Sequence, residues 1–290
     1  MLDAPQLRRM IALLLLSLLQ ESATSAAPAA PPVPAPSDPA AVALLARLAA
    51  IQYAGGAARQ VDGFDVQLVL RERGEQPQEF DFGLNYSRRA GERVAIQILD
   101  RNLGTEVKKG FDGSAYWLDT VNEAGKPVRQ DLGGHEFEQD REAIDESIEL
   151  AADLLLVLDL HSLSRQAEGL SLSNDVTKER LLSGSVHRGG SLWEFTIVLP
   201  EKDPAEGPQP QEIRLRQPNP DLLKAPEQPF LQDRSFRLGK FKRFRERSVP
   251  QEIQEYQPGM EAPSRILEIH DLRWADLLFS PPAPSPSPPK

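Results

Sequence analysis

Three consecutive segments alternate apolar and polar residues with period two, and this constrains the fold more than any other feature of the chain. Phe64, Val66, Leu68 and Leu70 share one face, then Phe80, Phe82, Leu84 and Tyr86, then Val94, Ile96 and Ile98. Such alternation marks strands buried on one side. Gly74, the Arg89-Ala90-Gly91 segment and Gly104 mark reversals, and connections this short make neighbouring strands antiparallel. The apolar side of the resulting sheet needs something to cover it.

Two helices are predicted to supply the cover. Ser37-Asp38 can cap a helix with Pro39 in its first turn, followed by residues 41–52 with Val42, Leu45, Leu48 and Ala49 on one face, and Gly55-Gly56 ends it. Residues 136–163 form the second, with Phe137, Ile144, Ile148, Leu155 and Leu158 near helical spacing and acidic first turns. Leu154 to Leu158 is apolar all round, so it must be covered on every side or lie against an apolar cavity. Between the helices the strand pattern runs through 106–111, turns at Asp112-Gly113 and resumes at 115–118, a hairpin signal. Strands return at 181–187, 192–199, 212–217, 236–247, 251–256 and 265–272, separated by proline-rich loops. The fold class is α+β, β-dominated: one strongly curved antiparallel sheet crossed by helices.

The N-terminus carries an export signal. Arg8-Arg9 precede an apolar run from Met10 to Leu19, and Thr24-Ser25-Ala26 offers a small-residue cleavage point, so residues 1–26 read as a signal peptide, through the general or the twin-arginine route. About ten apolar residues fall well short of the roughly 20 that span a bilayer. Residues 27–39 are a Pro/Ala-rich linker, 40–282 the folded domain and 283–290 a Pro/Ser-rich disordered tail. The chain has no cysteine, hence neither disulfide nor lipid-attachment thiol. It is expected to be exported, periplasmic or otherwise extracytoplasmic, soluble and not lipidated.

The net charge of −10 argues against a nucleic-acid partner. Charge is unevenly spread: residues 131–159 hold ten carboxylates against Arg141, and residues 234–247 hold seven cations against Glu246. Helical carboxylates such as those from Asp140 to Asp153 read as a solvated face. In residues 236–245 aromatic and basic residues interleave, and Arg237, Lys240, Lys242, Arg243 and Arg245 become candidates for an acidic partner or an anionic membrane surface. The other reading is an edge strand guarded by charge. His135, His161, His187 and His270 lack metal-ligand spacing, His135-Glu136 has Gln139 where a zincin needs its second histidine, and neither a Gly-x-Ser-x-Gly elbow nor a phosphate loop occurs. No catalytic residue, metal or cofactor is expected.

The segment from Val107 to Leu118, with Phe111-Asp112-Gly113 leading to Trp117, resembles the hairpin of the bacterial outer-membrane lipoprotein carrier and receptor superfamily (LolA/LolB-like). The ending resembles it too: Pro250-Gln251-Glu252-Ile253, then Ile266-Leu267-Glu268-Ile269, then Phe279-Ser280-Pro281-Pro282. The resemblance implies an unclosed β-barrel lidded by helices, with a concave apolar side that shelters lipid or lipoprotein acyl chains, and no catalysis. The candidate lining is Phe64, Val66, Leu68, Phe82, Leu84, Ile96, Ile98 and Trp117, facing Leu155 and Leu158. The alternative is a non-catalytic structural or protein-interaction module of the envelope with the same fold and a filled core.

Overall fold

The three alternating segments become β1 (Gly63–Glu72), β2 (Gln78–Arg89) and β3 (Arg93–Asp100) of a computed structural model. The structure describes residues 36–53, 63–73, 78–89, 93–100, 107–121, 126–176, 178–188, 190–204, 207–221, 225–244 and 247–274. The signal peptide, most of the linker, Arg245 and the Phe279 to Pro282 ending lie outside these. Register sets Phe64 opposite Tyr86 and Tyr86 opposite Ile96, and likewise Val66, Leu84 and Ile98. Directly paired residues share a face, so the apolar positions form one continuous inner surface.

The first meander continues through β4 (Val107–Phe111), β5 (Tyr116–Val121) and β6 (Pro127–Asp131). After the helices a second comprises β7 (Glu168–Asn174), β8 (Arg180–Arg188), β9 (Ser191–Leu199), β10 (Glu212–Pro218), β11 (Phe230–Phe244), β12 (Arg247–Tyr256) and β13 (Arg265–Trp274). The strand order is β6-β5-β4-β3-β2-β1-β13-β12-β11-β10-β9-β8-β7, so antiparallel pairing of β1 with β13 joins the two meanders. The result is one open 13-stranded sheet with β6 and β7 at its edges.

Topology requires a crossing, because the chain must travel from one edge strand to the other, and the apolar inner face is the one the helices cover. A 3-10 turn (His135–Phe137) leads into α2 (Glu138–Leu158), and α3 (Leu160–Gln166) delivers the chain to β7. With 21 residues, α2 is about 32 Å long. The long helix expected over 136–163 is in fact two. Asp159 leaves helical geometry (φ −129°, ψ 73°) and caps α3, accepting hydrogen bonds from Ser162 N at 3.4 Å and Ser162 Oγ at 2.6 Å.

The first helix, α1 (Pro39–Gln52), starts as its sequence dictates: Asp38 accepts a hydrogen bond from Ala40 N at 2.9 Å and Pro39 occupies the first turn. Its buried face is Ala41, Leu45, Leu48, Ala49 and Gln52. Val42, expected on that face, is exposed. The i, i+4 row from Ala41 through Leu45 to Ala49 meets the neighbours instead. α1 packs on α3, β7 and β12, while α2 lies over β2, β3 and β4.

Candidate functional site

The inner surface and its helical cover make the candidate site. Phe64, Val66 and Leu68 on β1, Leu84 on β2, and Ile96 and Ile98 on β3 all lie in the core with Leu155 and Leu158 of α2, and Phe82 packs against them half-buried. Phe64, Val66, Leu84, Ile96 and Leu158 are 0% exposed, so they contact neighbouring side chains and not a void a water molecule fits. The second meander extends this surface through Phe195, Ile197, Ile213, Leu215, Phe236 and Ile253. Those positions are missing from the sequence-based candidate lining, although the alternation in 192–199 and 212–217 carries the signal that finds Phe195, Ile197, Ile213 and Leu215.

Trp117 does not share that face. It lies opposite Gly110, which lies opposite Gln97, and Gln97 opposite Asn85. This is the outer row, one residue out of step with Tyr116, Phe111 and Ile96. There the Arg129 guanidinium stacks over the Trp117 ring at 3.8 Å. Gly110 leaves room for it: a Cβ would fall 2.9 Å from the indole and 2.0 Å from the Ile96 carbonyl oxygen. The hairpin itself turns over four residues, Asp112 to Ala115, with the Asp112 carboxylate accepting from Ser114 N at 2.9 Å and Ala115 N at 3.0 Å.

Polar contacts fix the cover at an exposed place, where the Tyr116 hydroxyl of β5 donates to Asp145 of α2 at 2.7 Å, and at two buried ones. Asp153 of α2, fully buried, is bonded by Arg188 of β8 and by Arg234 of β11 at 2.6 Å, and Arg234 also reaches Glu149 at 2.9 Å. Asp153 is therefore no part of a solvated acidic face. At the α2–α3 break, Asp159 accepts from the Tyr53 hydroxyl at 3.0 Å and lies 3.3 Å from Arg247. The Arg247 guanidinium is sandwiched between Tyr53 at 3.8 Å and Trp274 at 3.9 Å. Burial and the adjacent Asp159 carboxylate push the Tyr53 hydroxyl well above its ordinary range, keeping it a donor. Gln52 completes the clamp, donating to Leu158 O at 2.8 Å and accepting from Leu160 N at 3.0 Å.

Beside this clamp runs a narrow apolar seam. A cavity of about 30 Å³ is bounded by Leu48 and Ile51 of α1, Val157 of α2, Leu160 of α3, and Leu238 and Phe241 of β11. That volume is roughly one water's share of liquid.

The basic residues of β11 do not form one surface. Arg237 lies opposite Gln254 and Lys242 opposite the buried Val249, which are opposite faces of β12. Arg237 stacks on Tyr256 at 4.3 Å, Lys240 is paired with Glu252, Lys242 sits 5.2 Å from the Phe244 ring, and Arg243 is exposed. The strand is an edge along only part of its length. Residues 230–234 pair with β10, residues 235–237 with both β10 and β12, and from Gly239 onward only β12 remains.

Among the described residues no group of three or more His, Asp or Glu is placed to hold a metal. No described helix is long and apolar enough to cross a membrane.

No family model matches this chain, and no curated protein matches it. Among solved structures it is similar to a LolA superfamily protein of Nitrosomonas europaea, at 12% identity and a TM-score of 0.44, over 82% of this chain and 94% of that one. It is also similar to an outer membrane lipoprotein-sorting protein domain of Vibrio parahaemolyticus, at 10% identity and a TM-score of 0.40, over 81% and 93% of the two chains.

Proposed function

We propose that this is an exported, non-enzymatic envelope protein that binds a lipid, acyl chain or other apolar ligand on the inner face of its open sheet, beneath the helical cover, in lipid or lipoprotein trafficking. The observation that carries the reading is the layering. A continuous apolar surface drawn from both meanders is covered by separate helices fixed by a few polar contacts, with an apolar seam at their boundary. Each methylene transferred there from water is worth about 0.8 kcal/mol, so a chain of about ten carbons brings about 8 kcal/mol toward displacing the cover.

A second reading is favoured by the full burial of Phe64, Val66, Leu84 and Ile96. It is a non-catalytic protein-interaction module of the envelope whose inner face is simply its core. One experiment separates the two. Protein purified from its own envelope is examined by native mass spectrometry, then delipidated and titrated with a fluorescent fatty-acyl probe. Co-purifying lipid or saturable probe binding supports the first reading; bare protein that ignores the probe leaves the second.

A further inference from the structure

At one end of the inner face the apolar surface gives way to charge. A cleft of about 710 Å³ opens there, where β1 and β12 end and β11 and β13 begin, roofed by the N-terminal half of α2. Five carboxylates line it (Glu72, Glu146, Glu149, Asp233 and Glu255) against Arg73, Arg234 and Arg265. Most of these neutralise one another: Arg265 bonds Glu72 at 3.0 Å, Arg234 bonds Glu149 at 2.9 Å, and Asp233 bonds Arg216 at 3.1 Å. Glu146 faces solvent, and Glu255 is the buried exception. It is 5% exposed, its Oε2 has no hydrogen-bond partner, and the nearest cation, Arg265 Nη1, stays 3.9 Å away. A buried carboxylate oxygen left unbonded costs more than a neutral one, so an incoming donor is favoured there.

We propose that this cleft receives a basic side chain of a partner polypeptide, its ammonium or guanidinium group bonding Glu255 Oε2. The two-charge excess of carboxylates suits a cation. Half-buried Phe230, exposed Leu231 and Pro258 at the rim supply apolar contacts that a peptide uses and a free amine does not. Desolvation lifts the Glu255 carboxyl above its ordinary range; Arg265 and Arg234 pull it down, while Asp153 and Glu72 push it up. An arriving cation lowers it, so at a pH where the carboxyl is still partly protonated binding releases protons, and the titrations are run across pH to find that window. The proposal does not depend on the apolar-ligand reading, because no lining residue of the cleft belongs to the candidate lining beneath the cover.

The test is calorimetric titration of the full chain with the acetylated pentapeptide amide Lys-Leu-Lys-Leu-Lys, compared with spermidine of equal charge, in buffers of different ionisation enthalpy. The peptide is expected to bind more tightly than spermidine, with proton release. Glu255→Gln should weaken it at least about fivefold and abolish the release, whereas the rim variant Arg73→Ser should tighten it about twofold. Because Arg73 is exposed, that variant reports on the cleft even if Glu255→Gln compromises folding. Equal affinity for spermidine, an unchanged affinity in Glu255→Gln, or an Arg73→Ser protein that binds no better than the parent overturns the proposal.

Discussion

At the residue scale, the buried ions decide most. Arg247 is nearly inaccessible, and its charge is met by Asp159 and by two aromatic faces. Arg247→Ala leaves Asp159 buried without its cation and should cost about 3–5 kcal/mol in urea unfolding. Arg247→Lys keeps the charge but not the planar stacking and should fall in between. A loss below about 1 kcal/mol for the alanine variant would show that the clamp is solvated. Glu255 behaves in the opposite sense. Its folded-state pKa is raised by desolvation, so its favourable contribution is complete below the ordinary carboxyl range, near pH 4, and fades as pH rises through the raised value. Glu255→Gln should therefore match or exceed the parent's stability at pH 7 and lose that advantage near pH 4, as read by urea midpoints across pH; a variant weaker at pH 7 would mean attraction to Arg265 wins. None of this was legible in the sequence. Asp153, Asp159 and Glu255 look like any other carboxylate there, because the arginines that bury them come from distant strands. Trp117 failed for a different reason: side-chain parity changes with every residue, and only register fixes it.

At the element scale, the pattern succeeded where one face is buried and the other wet. β1 to β3 and β8 to β10 alternate because the core lies on one side of them, and α1 was readable from its Asp38-Pro39 start. The edge strands β6 and β7 were missed. Their residues are mostly exposed on both faces, so no alternation is imposed, and Pro127 and Gly169 weaken the strand signal further. The α2–α3 break was missed because Asp159 and Leu160 fit a helical pattern, while the capping bond to Ser162 competes locally. In β11 one irregularity makes a sharp prediction. Lys240 has φ +51°, in the left-handed region, just where pairing with β10 has stopped. Lys240→Gly should keep or raise the thermal midpoint, because glycine enters that region freely, whereas Lys240→Val should lower it. Removal of the Glu252 pairing is common to both, so the difference between the two isolates the backbone. Equal midpoints would show that β11 straightens there without cost.

At the scale of the whole molecule, the β1–β13 pairing decides whether the protein is one folding unit or two. Each meander is made of sequence neighbours, and they meet in the sheet only where β1 pairs with β13. The helical layer ties them again: α2 packs on β2, β3 and β4, yet Arg188 and Arg234, which bond its Asp153, belong to the second meander. Two independent links between the halves imply that neither melts alone. The three tryptophans are placed to check this, with Trp117 in β5, Trp193 in β9 and Trp274 at the end of β13. Three variants, each retaining one tryptophan and carrying phenylalanine at the others, should show internally coincident urea transitions by fluorescence and circular dichroism. Adding Ile269→Ala, which empties a fully buried site on β13 opposite Leu68, should cost about 2–5 kcal/mol and shift the Trp117 and Trp193 transitions together. A shift confined to one of them would divide the sheet into separately stable halves, and the cover could then open by unfolding one half while the other holds.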